Sequence, residues 1–214
     1  MQNDFRNTKY CPALCEITTK KEAVDGMVKK DHPKARDMHH YISKNELPYK
    51  AEFMKAYNSK CAYCGASTQV LPKRMFEVDH FFHEKSARFH TKADAGYIEN
   101  LVLSCQACNR KKLALPIPDE AITYLHPDAE EFKKVFCRDE EYYIRIAEQY
   151  KSNSLVSKFY SELDLSSDTH RLDYLLMSMI GLQKKLAHNH PASGKLGEAI
   201  QLRVFPLSQE YVYA

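Results

Sequence analysis

Three short stretches of the chain decide its fold: CAYC at residues 61–64, FEVDH at 76–80 and NLVLSCQACNRKK at 100–112. The first and the last each contain a Cys-x-x-Cys pair, and about forty residues separate the two pairs. Two such pairs are typical of a tetrahedral zinc site, because each pair presents two thiolates to one ion. We therefore predict a structural zinc ion bound by Cys61, Cys64, Cys105 and Cys108.

Other side chains in these stretches carry reactive chemistry. A four-cysteine zinc site is closed, so any catalysis must use groups outside the zinc ligands. Asp79 and His80 place a carboxylate beside an imidazole, and Asn109 follows the last cysteine. Asp79 and Asn109 can offer oxygen ligands to a hard cation such as Mg²⁺ or Mn²⁺. His80 titrates near neutrality, as suits a general base.

In this order the motifs resemble the zinc-containing branch of the HNH endonucleases, over about a quarter of the chain. The resemblance implies a two-stranded hairpin and a helix closing over one catalytic metal ion, the ββα-metal arrangement. It matches His80 to the first His of the family motif, Asn100 to the central Asn and Asn109 to the last position. The implied activity is metal-dependent hydrolysis of DNA phosphodiester bonds, with His80 as general base and Asp79 and Asn109 holding the catalytic cation.

Three further residues have supporting or open roles. We expect Asn100 to tie the loop after the first strand so that the His80 imidazole points correctly. Glu77 lies two residues before Asp79, on the same side of a strand. It is either an extra ligand of the cation or a residue that orients the ligands through a hydrogen bond. His83 stands where many family members have proline, and is either a second ligand or base or a loop histidine with no catalytic role. Because neighbouring strand residues point to opposite faces, Asp79 and His80 can converge only if the strand ends or bends there.

The formal charge of +3 is unevenly distributed along the chain. Residues 60–112 hold nine Lys and Arg against five Asp and Glu, whereas residues 119–164 hold six against eleven. Basic residues that neutralise phosphates supply most non-specific affinity for nucleic acid. We predict that Arg110, Lys111 and Lys112 contact the nucleic acid; the alternative is an ordinary solvated face.

Length and hydrophobic periodicity predict an α+β, mostly helical chain of three parts. These are an N-terminal helical lead-in at residues 1–59, an HNH nuclease core with zinc knuckles at 60–115 and a mainly helical extension at 116–214. Helices are expected from Thr18 or Thr19 to Lys30, from a start between Ser43 and Pro48, over 128–135 and over 167–187, with a short strand at 142–146. The sequence has no long apolar run or signal-peptide pattern, and its cysteines indicate a reducing compartment, so we expect a cytoplasmic protein with no membrane span.

The helix predicted at 167–187 has a wide apolar face, typical either of a core or of an interface with a homodimer partner or another protein. The HNH core followed by RLDYLL at 171–176 is similar to stand-alone HNH effectors encoded beside ATPases in bacterial anti-phage systems, such as Septu-like ones. That similarity implies an ATPase partner; a restriction enzyme or a mobile-element nuclease are the competing settings. The rival to an enzyme is a non-catalytic, zinc-stabilised nucleic-acid-binding module.

Overall fold

The structure, a computed structural model, describes residues 4–186 and 190–210, with backbone alone from 203 onward. The fold is α+β and mostly helical, as predicted. Its helices are α1 (Ile17–Asp31), α2 (Met38–Ile42), α3 (Pro48–Ala56), α4 (Gln106–Lys112), α5 (Ile122–Leu125), α6 (Phe132–Val135), α7 (Ser154–Glu162), α8 (Asp168–Lys185) and α9 (Pro191–Glu210). Its strands are β1 (Phe76–His80), β2 (Leu101–Cys105), β3 (Phe136–Arg138) and β4 (Ile144–Ile146).

The motif region folds as a hairpin followed at once by a helix. Strands β1 and β2 pair antiparallel, with Phe76 opposite Cys105 and His80 opposite Leu101. Helix α4 begins at the residue after β2 and packs against both strands. This is the ββα arrangement that the sequence predicts, and it places the two motif ends, residues 76–80 and 105–112, side by side.

The N-terminal segment forms a helical layer against this hairpin. Helix α1 begins at Ile17 and ends at Asp31, close to its predicted limits, and α3 buries Phe53 and Met54. The sequence analysis missed α2, which has only five residues and so no readable periodicity. Its N-terminus is capped by Asp37, whose side chain accepts a hydrogen bond from the backbone N–H of His40 at 3.1 Å.

The region after the motif differs in detail from the prediction. The helix expected over 128–135 is reduced to the single turn of α6, and the strand expected at 142–146 is β4, which pairs with β3. Helix α8 matches the long predicted helix, whose expected last residue, Ala187, lies outside the described residues. The termini of the three-part division, Met1 and Ala214, also lie outside them, and the division itself stays a prediction.

Helix α8 buries a different face from the one its leucines indicate. Of the leucines of α8 only Leu176 is buried, and the buried face also contains His170, Asp173 and Met177. Position 181 also lies on this face, and it is a glycine there because the Cβ of any other residue would collide with Tyr10. The helix therefore packs a partly polar face inward and leaves most of its leucines half-buried.

Buried side chains from all three parts of the chain form one hydrophobic core. This core extends along the sequence from Phe5 to Leu165 and contains all four cysteines of the predicted zinc site. A smaller cluster under α8 contains Cys11, Val70, Leu176 and Met177. Among the described helices, none combines the length and the apolar character needed to cross a bilayer.

Candidate active site and metal centre

The four predicted zinc ligands come together in the structure. The sulfur atoms of Cys61, Cys64, Cys105 and Cys108 all lie within 4.8 Å of one another, and all four residues are buried. Zinc–sulfur bonds of about 2.3 Å in a tetrahedron require sulfur atoms about 3.8 Å apart. The sulfurs of Cys64 and Cys105 are 3.8 Å apart. The cluster therefore has the ligand set and about the spacing that a zinc ion requires.

Local backbone geometry holds the first cysteine pair against the second. The backbone N–H of Ala62 donates to the carbonyl of Leu103 in β2 at 2.7 Å, which fixes the knuckle to the hairpin. Gly65 closes the knuckle with a φ of 81°, a conformation that favours glycine, and its backbone lies against that of Arg6. The knuckle thus depends on a glycine for both its turn and its close packing.

Hydrogen bonds within the cluster shift the pKa of three of its thiols. Hydrogen bonding with Cys105 is the main cause that raises the pKa of Cys64 and of Cys108. Burial pushes the pKa of Cys61 upward, but hydrogen bonds from the other three cysteines outweigh it and lower that pKa. A bound cation is what allows all four sulfurs to be thiolates together, so zinc binding should release protons.

Three basic residues from outside residues 60–115 surround the cysteine cluster. The guanidinium of Arg6 donates to the carbonyl of Ala62 at 2.7 Å, and that of Arg138 donates to the carbonyl of Cys64 at 3.5 Å. Nε2 of His170, on α8, lies 3.9 Å from the sulfur of Cys108, and the His170 side chain is buried. No local pattern in the sequence links these residues to the zinc site, and the sequence analysis missed them.

The carboxylate of Asp79 is buried between the zinc knuckle and α4. Its Oδ2 accepts a hydrogen bond of 2.7 Å from the hydroxyl of Tyr63 and lies 3.3 Å from the ammonium of Lys112. Burial raises the pKa of Asp79 to about 6, and Lys112 and Tyr63 oppose that rise. Tyr63 lies between Cys61 and Cys64 in the chain, so the knuckle that would bind zinc also positions Asp79.

Asn109 and Glu77 meet on the same side of the hairpin as Asp79. The amide nitrogen of Asn109 donates to Oε2 of Glu77, which leaves the Asn109 amide oxygen as an acceptor. Glu77 and Asp79 are two residues apart on β1, and Asn109 and Lys112 are one turn apart on α4. This interface offers carboxylate and amide oxygens, the donor set that a hard divalent cation prefers. These residue types suit the expected Mg²⁺ or Mn²⁺, and in this structure the carboxylate of Asp79 is occupied by the hydroxyl of Tyr63 and by the ammonium of Lys112.

His80 is the last residue of β1, and its ring has different neighbours from the carboxylate of Asp79. It packs on the ring of His39 from α2, with centroids 4.2 Å apart. Burial lowers the pKa of His80 to about 4, and the nearby His39 adds to the effect. The imidazole is therefore neutral at pH 7 and has a lone pair with which to accept a proton.

His39 is a neighbour of the candidate base that no sequence motif identifies. Its Nε2 lies 3.1 Å from the carbonyl of Val78, so this nitrogen carries the proton and donates it to β1. The contact fixes the ring against His80. The ring contact joins His39 to His80, 41 positions later in the chain, so only the three-dimensional fold could reveal it.

Asn100 lies immediately before β2 and is buried. Its Oδ1 accepts from the backbone N–H of Phe82 at 2.8 Å. Its Nδ2 donates to the carbonyls of Phe82 and Ala95, at 3.0 and 2.8 Å. These bonds hold both ends of the loop that follows His80, which is the position that a loop-tying asparagine requires.

The remaining predicted residues lie in varied surroundings. Arg110 and Lys111 are exposed at the end of α4, and Lys111 is 3.4 Å from Asp164. Lys112 differs from the expectation of a phosphate contact: it is buried, and its ammonium donates to the carbonyls of His80 at 2.9 Å and Phe81 at 3.3 Å. An ammonium bound to internal oxygens is not presented to a nucleic acid. His83 accepts from the backbone N–H of Lys85 within its own loop.

Comparison with known proteins finds one match. Residues 61–114 match the family model described as HNH endonuclease. Searches among curated proteins and among solved structures gave no significant match. The matched segment contains all four cysteines together with Asp79, His80, Asn100 and Asn109.

Proposed function

We propose that this chain, which carries an HNH endonuclease domain at residues 61–114, is a metal-dependent endonuclease that hydrolyses DNA phosphodiester bonds. One observation carries the proposal. The hairpin ends with a neutral imidazole, His80, directly after Asp79, and α4 brings Asn109 against the same strand.

The residues divide the chemistry between them. His80 would take the proton from the attacking water, and Asp79 and Asn109 would hold the catalytic cation. A divalent cation in such a site stabilises negative charge on the phosphate and on the leaving oxygen. Asn100 fixes the loop after His80, and His39 limits the rotation of its ring. The fixed orientation matters because a general base must lie within hydrogen-bond reach of its proton.

Zinc has a structural part in this proposal. Four thiolates complete its coordination and leave no position for a substrate. Its role is to hold the knuckle at 61–64, which carries Tyr63 and through it the hydrogen bond to Asp79. Loss of zinc would therefore disturb a catalytic ligand as well as the fold.

We also propose a biological setting for the enzyme. We place the enzyme in bacterial anti-phage defence, in the cytoplasm, on the resemblance of residues 171–176 to the tails of HNH effectors. An ATPase partner and a homodimer through the C-terminal helices stay predictions.

The decisive test is cleavage of plasmid DNA by the purified protein with EDTA, Mg²⁺ or Mn²⁺. We expect metal-dependent cutting that falls by about 10²–10⁴-fold in His80→Ala, because a positioned general base contributes that much. His90→Ala is the matched control, since His90 is exposed in the loop after His80 and should leave the rate unchanged. Zinc content and the circular dichroism spectrum should be the same in all three proteins.

Two results would contradict the proposal. Cleavage by His80→Ala at the wild-type rate would remove His80 as the base. Tight DNA binding with no cleavage under any metal condition would favour the rival, a zinc-stabilised binding module.

A further inference from the structure

A buried ammonium group lies at the point where strand β1 ends. It belongs to Lys112, the last residue of α4, whose side chain is 1% exposed. Its Nζ donates to the carbonyls of His80, Phe81 and Leu113 at 2.9, 3.3 and 3.5 Å, and it lies 3.3 Å from Oδ2 of Asp79. Four oxygen atoms therefore surround one positive charge, and one of them belongs to an expected ligand of the catalytic cation.

The oxygens around this ammonium are also held by contacts of their own. The hydroxyl of Tyr63 donates to Oδ2 of Asp79 at 2.7 Å, and the backbone N–H of Phe81 donates to the carbonyl of Asn100 at 2.7 Å. These contacts remain when the side chain at position 112 carries no charge. The carboxylate of Asp79 should therefore keep its orientation without the lysine.

The ammonium and the expected ligands of the cation share the interface between α4 and β1. Lys112 and Asn109 are three residues apart on α4, so their side chains lie on the same face of that helix. The amide nitrogen of Asn109 donates to Glu77 of β1, which leaves its amide oxygen as an acceptor. A divalent cation bound by Asp79 and Asn109 would therefore lie within several ångströms of the ammonium.

Two positive charges this close together repel each other strongly inside a protein. The interaction of two unit charges is about four times stronger at the effective dielectric constant of a protein than in bulk water. Water cannot hydrate the Lys112 ammonium while it stays on these oxygens, because the side chain is buried. The lysine therefore weakens the attraction of Asp79 for any further cation.

We propose that the Lys112 ammonium is an internal counter-ion of Asp79 that competes with the catalytic cation, and so keeps the affinity of the DNA-free enzyme for that cation low. The inference rests on the proposed nuclease function and concerns the regulation of its site. A substrate phosphate adds negative charge and oxygen ligands, which favour the divalent cation over the ammonium. Binding of the cation is thereby linked to binding of the substrate.

The test is Mn²⁺ binding to the zinc-loaded protein without DNA, measured by electron paramagnetic resonance. Lys112→Gln removes the charge but keeps an amide that can donate to the carbonyls, and Lys112→Met keeps the length of the side chain without a donor. Both variants should bind Mn²⁺ about 10-fold more tightly than the wild type, because one opposing charge is gone. Asp79→Asn, made in the Lys112→Gln protein, should abolish the tight binding and so locate it.

Lys21 of α1 supplies the matched control. Its ammonium lies 2.6 Å from Oδ2 of Asp128, and the side chains of this pair are 4% and 8% exposed, close to the 1% and 9% of Lys112 and Asp79. Lys21→Gln and Lys21→Met should lower the midpoint of thermal unfolding but leave the Mn²⁺ affinity at the wild-type value. The comparison separates an effect of charge at Asp79 from the general effect of removing a buried ammonium.

Thermal unfolding with and without Mn²⁺ is the second measurement. A ligand that binds the folded state raises the unfolding midpoint more when it binds more tightly, so Mn²⁺ should stabilise the Lys112 variants more than the wild type. If neither Lys112 variant folds even in excess Mn²⁺, the ammonium is a structural requirement of the fold and the inference fails.

The outcomes separate this inference from the proposed function. Tighter Mn²⁺ binding by the Lys112 variants, in a protein that cuts no DNA, would support the counter-ion and refute the nuclease. Metal-dependent cutting by the wild type, with unchanged or weaker Mn²⁺ binding in the Lys112 variants, would refute the counter-ion alone. Equal tightening in the Lys21 variants would also overturn the inference.

Discussion

Asn100 is the single residue on which the candidate site depends most for its shape. Three hydrogen bonds join its amide to the backbone of Phe82 and Ala95, so one side chain fixes the start of the loop after His80 and a point near its end. Its role in the candidate site is thus mechanical: it contacts backbone groups of the loop that follows His80.

Replacing Asn100 with Ala should therefore lower both stability and activity. Three buried backbone groups lose their partner at a cost of about 1–3 kcal/mol each, so the free energy of unfolding should fall by at least about 3 kcal/mol. A displaced loop should lower kcat by about 10²-fold, because small misplacements of reacting groups are costly. Urea unfolding and plasmid cleavage measure the two effects.

Asn100→Asp separates the two kinds of hydrogen bond. The isosteric aspartate keeps an acceptor for the backbone N–H of Phe82 but has no donor for the carbonyls of Phe82 and Ala95. It should also be impaired, to a smaller or similar degree. Wild-type stability in both variants would show that the loop is held by other contacts.

The sequence identifies the site residues through their motif spacing but does not reveal their surroundings. The spacing was enough to predict the cysteine cluster, because ligands of one ion must come together whatever the rest of the chain does. Lys112 belongs to the same motif, but whether its side chain points into the protein or toward solvent depends on which face of α4 packs against β1. His39 has no motif at all, since its contact with His80 arises from the docking of α2.

At the scale of elements, α8 connects the C-terminal part of the chain to the zinc centre. Periodicity predicted this helix but indicated a leucine face, whereas the buried face contains His170 and Asp173. Hydrophobic periodicity reports only the apolar residues of a helix. It therefore cannot reveal that the helix directs polar side chains toward a buried cluster of cysteines.

The position of His170 predicts an effect on zinc retention. An N–H group directed at a zinc-bound thiolate stabilises the bound form, and loss of such groups behind metal ligands typically costs 10–100-fold in affinity. His170→Leu, of similar volume but without a donor, should therefore release zinc to a chelator about 10-fold faster or more. In the cobalt-substituted protein, the sulfur-to-metal charge-transfer band should shift.

His170→Gln supplies the matched comparison, because its amide can also donate toward Cys108. Glutamine should restore part of the zinc retention and of the cobalt band position. If leucine and glutamine variants both retain zinc like the wild type, the 3.9 Å approach is packing without a hydrogen bond.

For the whole molecule, the sequence favoured three parts, while the described structure buries them in one core. Composition and motif limits divide a chain at 59 and 115, but they contain no information on which side chains share a core. Here residues between Phe5 and Leu165 pack into the cluster that includes the cysteines, and Arg6 and Arg138 contact the knuckle carbonyls. This shared core predicts that the three parts are not independent in stability.

Removing a zinc ligand should consequently unfold much more than the matched segment. Structural zinc contributes about 10–16 kcal/mol in zinc-finger peptides, which is comparable to the whole 5–15 kcal/mol stability of a typical domain. We expect Cys108→Ser to lose zinc and, with it, most of the helical circular dichroism signal. Hydrogen exchange should show loss of protection in α1 and α7 together with the hairpin. A fragment of residues 60–115 that folds with zinc on its own, or a Cys108→Ser protein with protected α1 and α7, would restore the three-part division, because the flanking helices would then not need the knuckle.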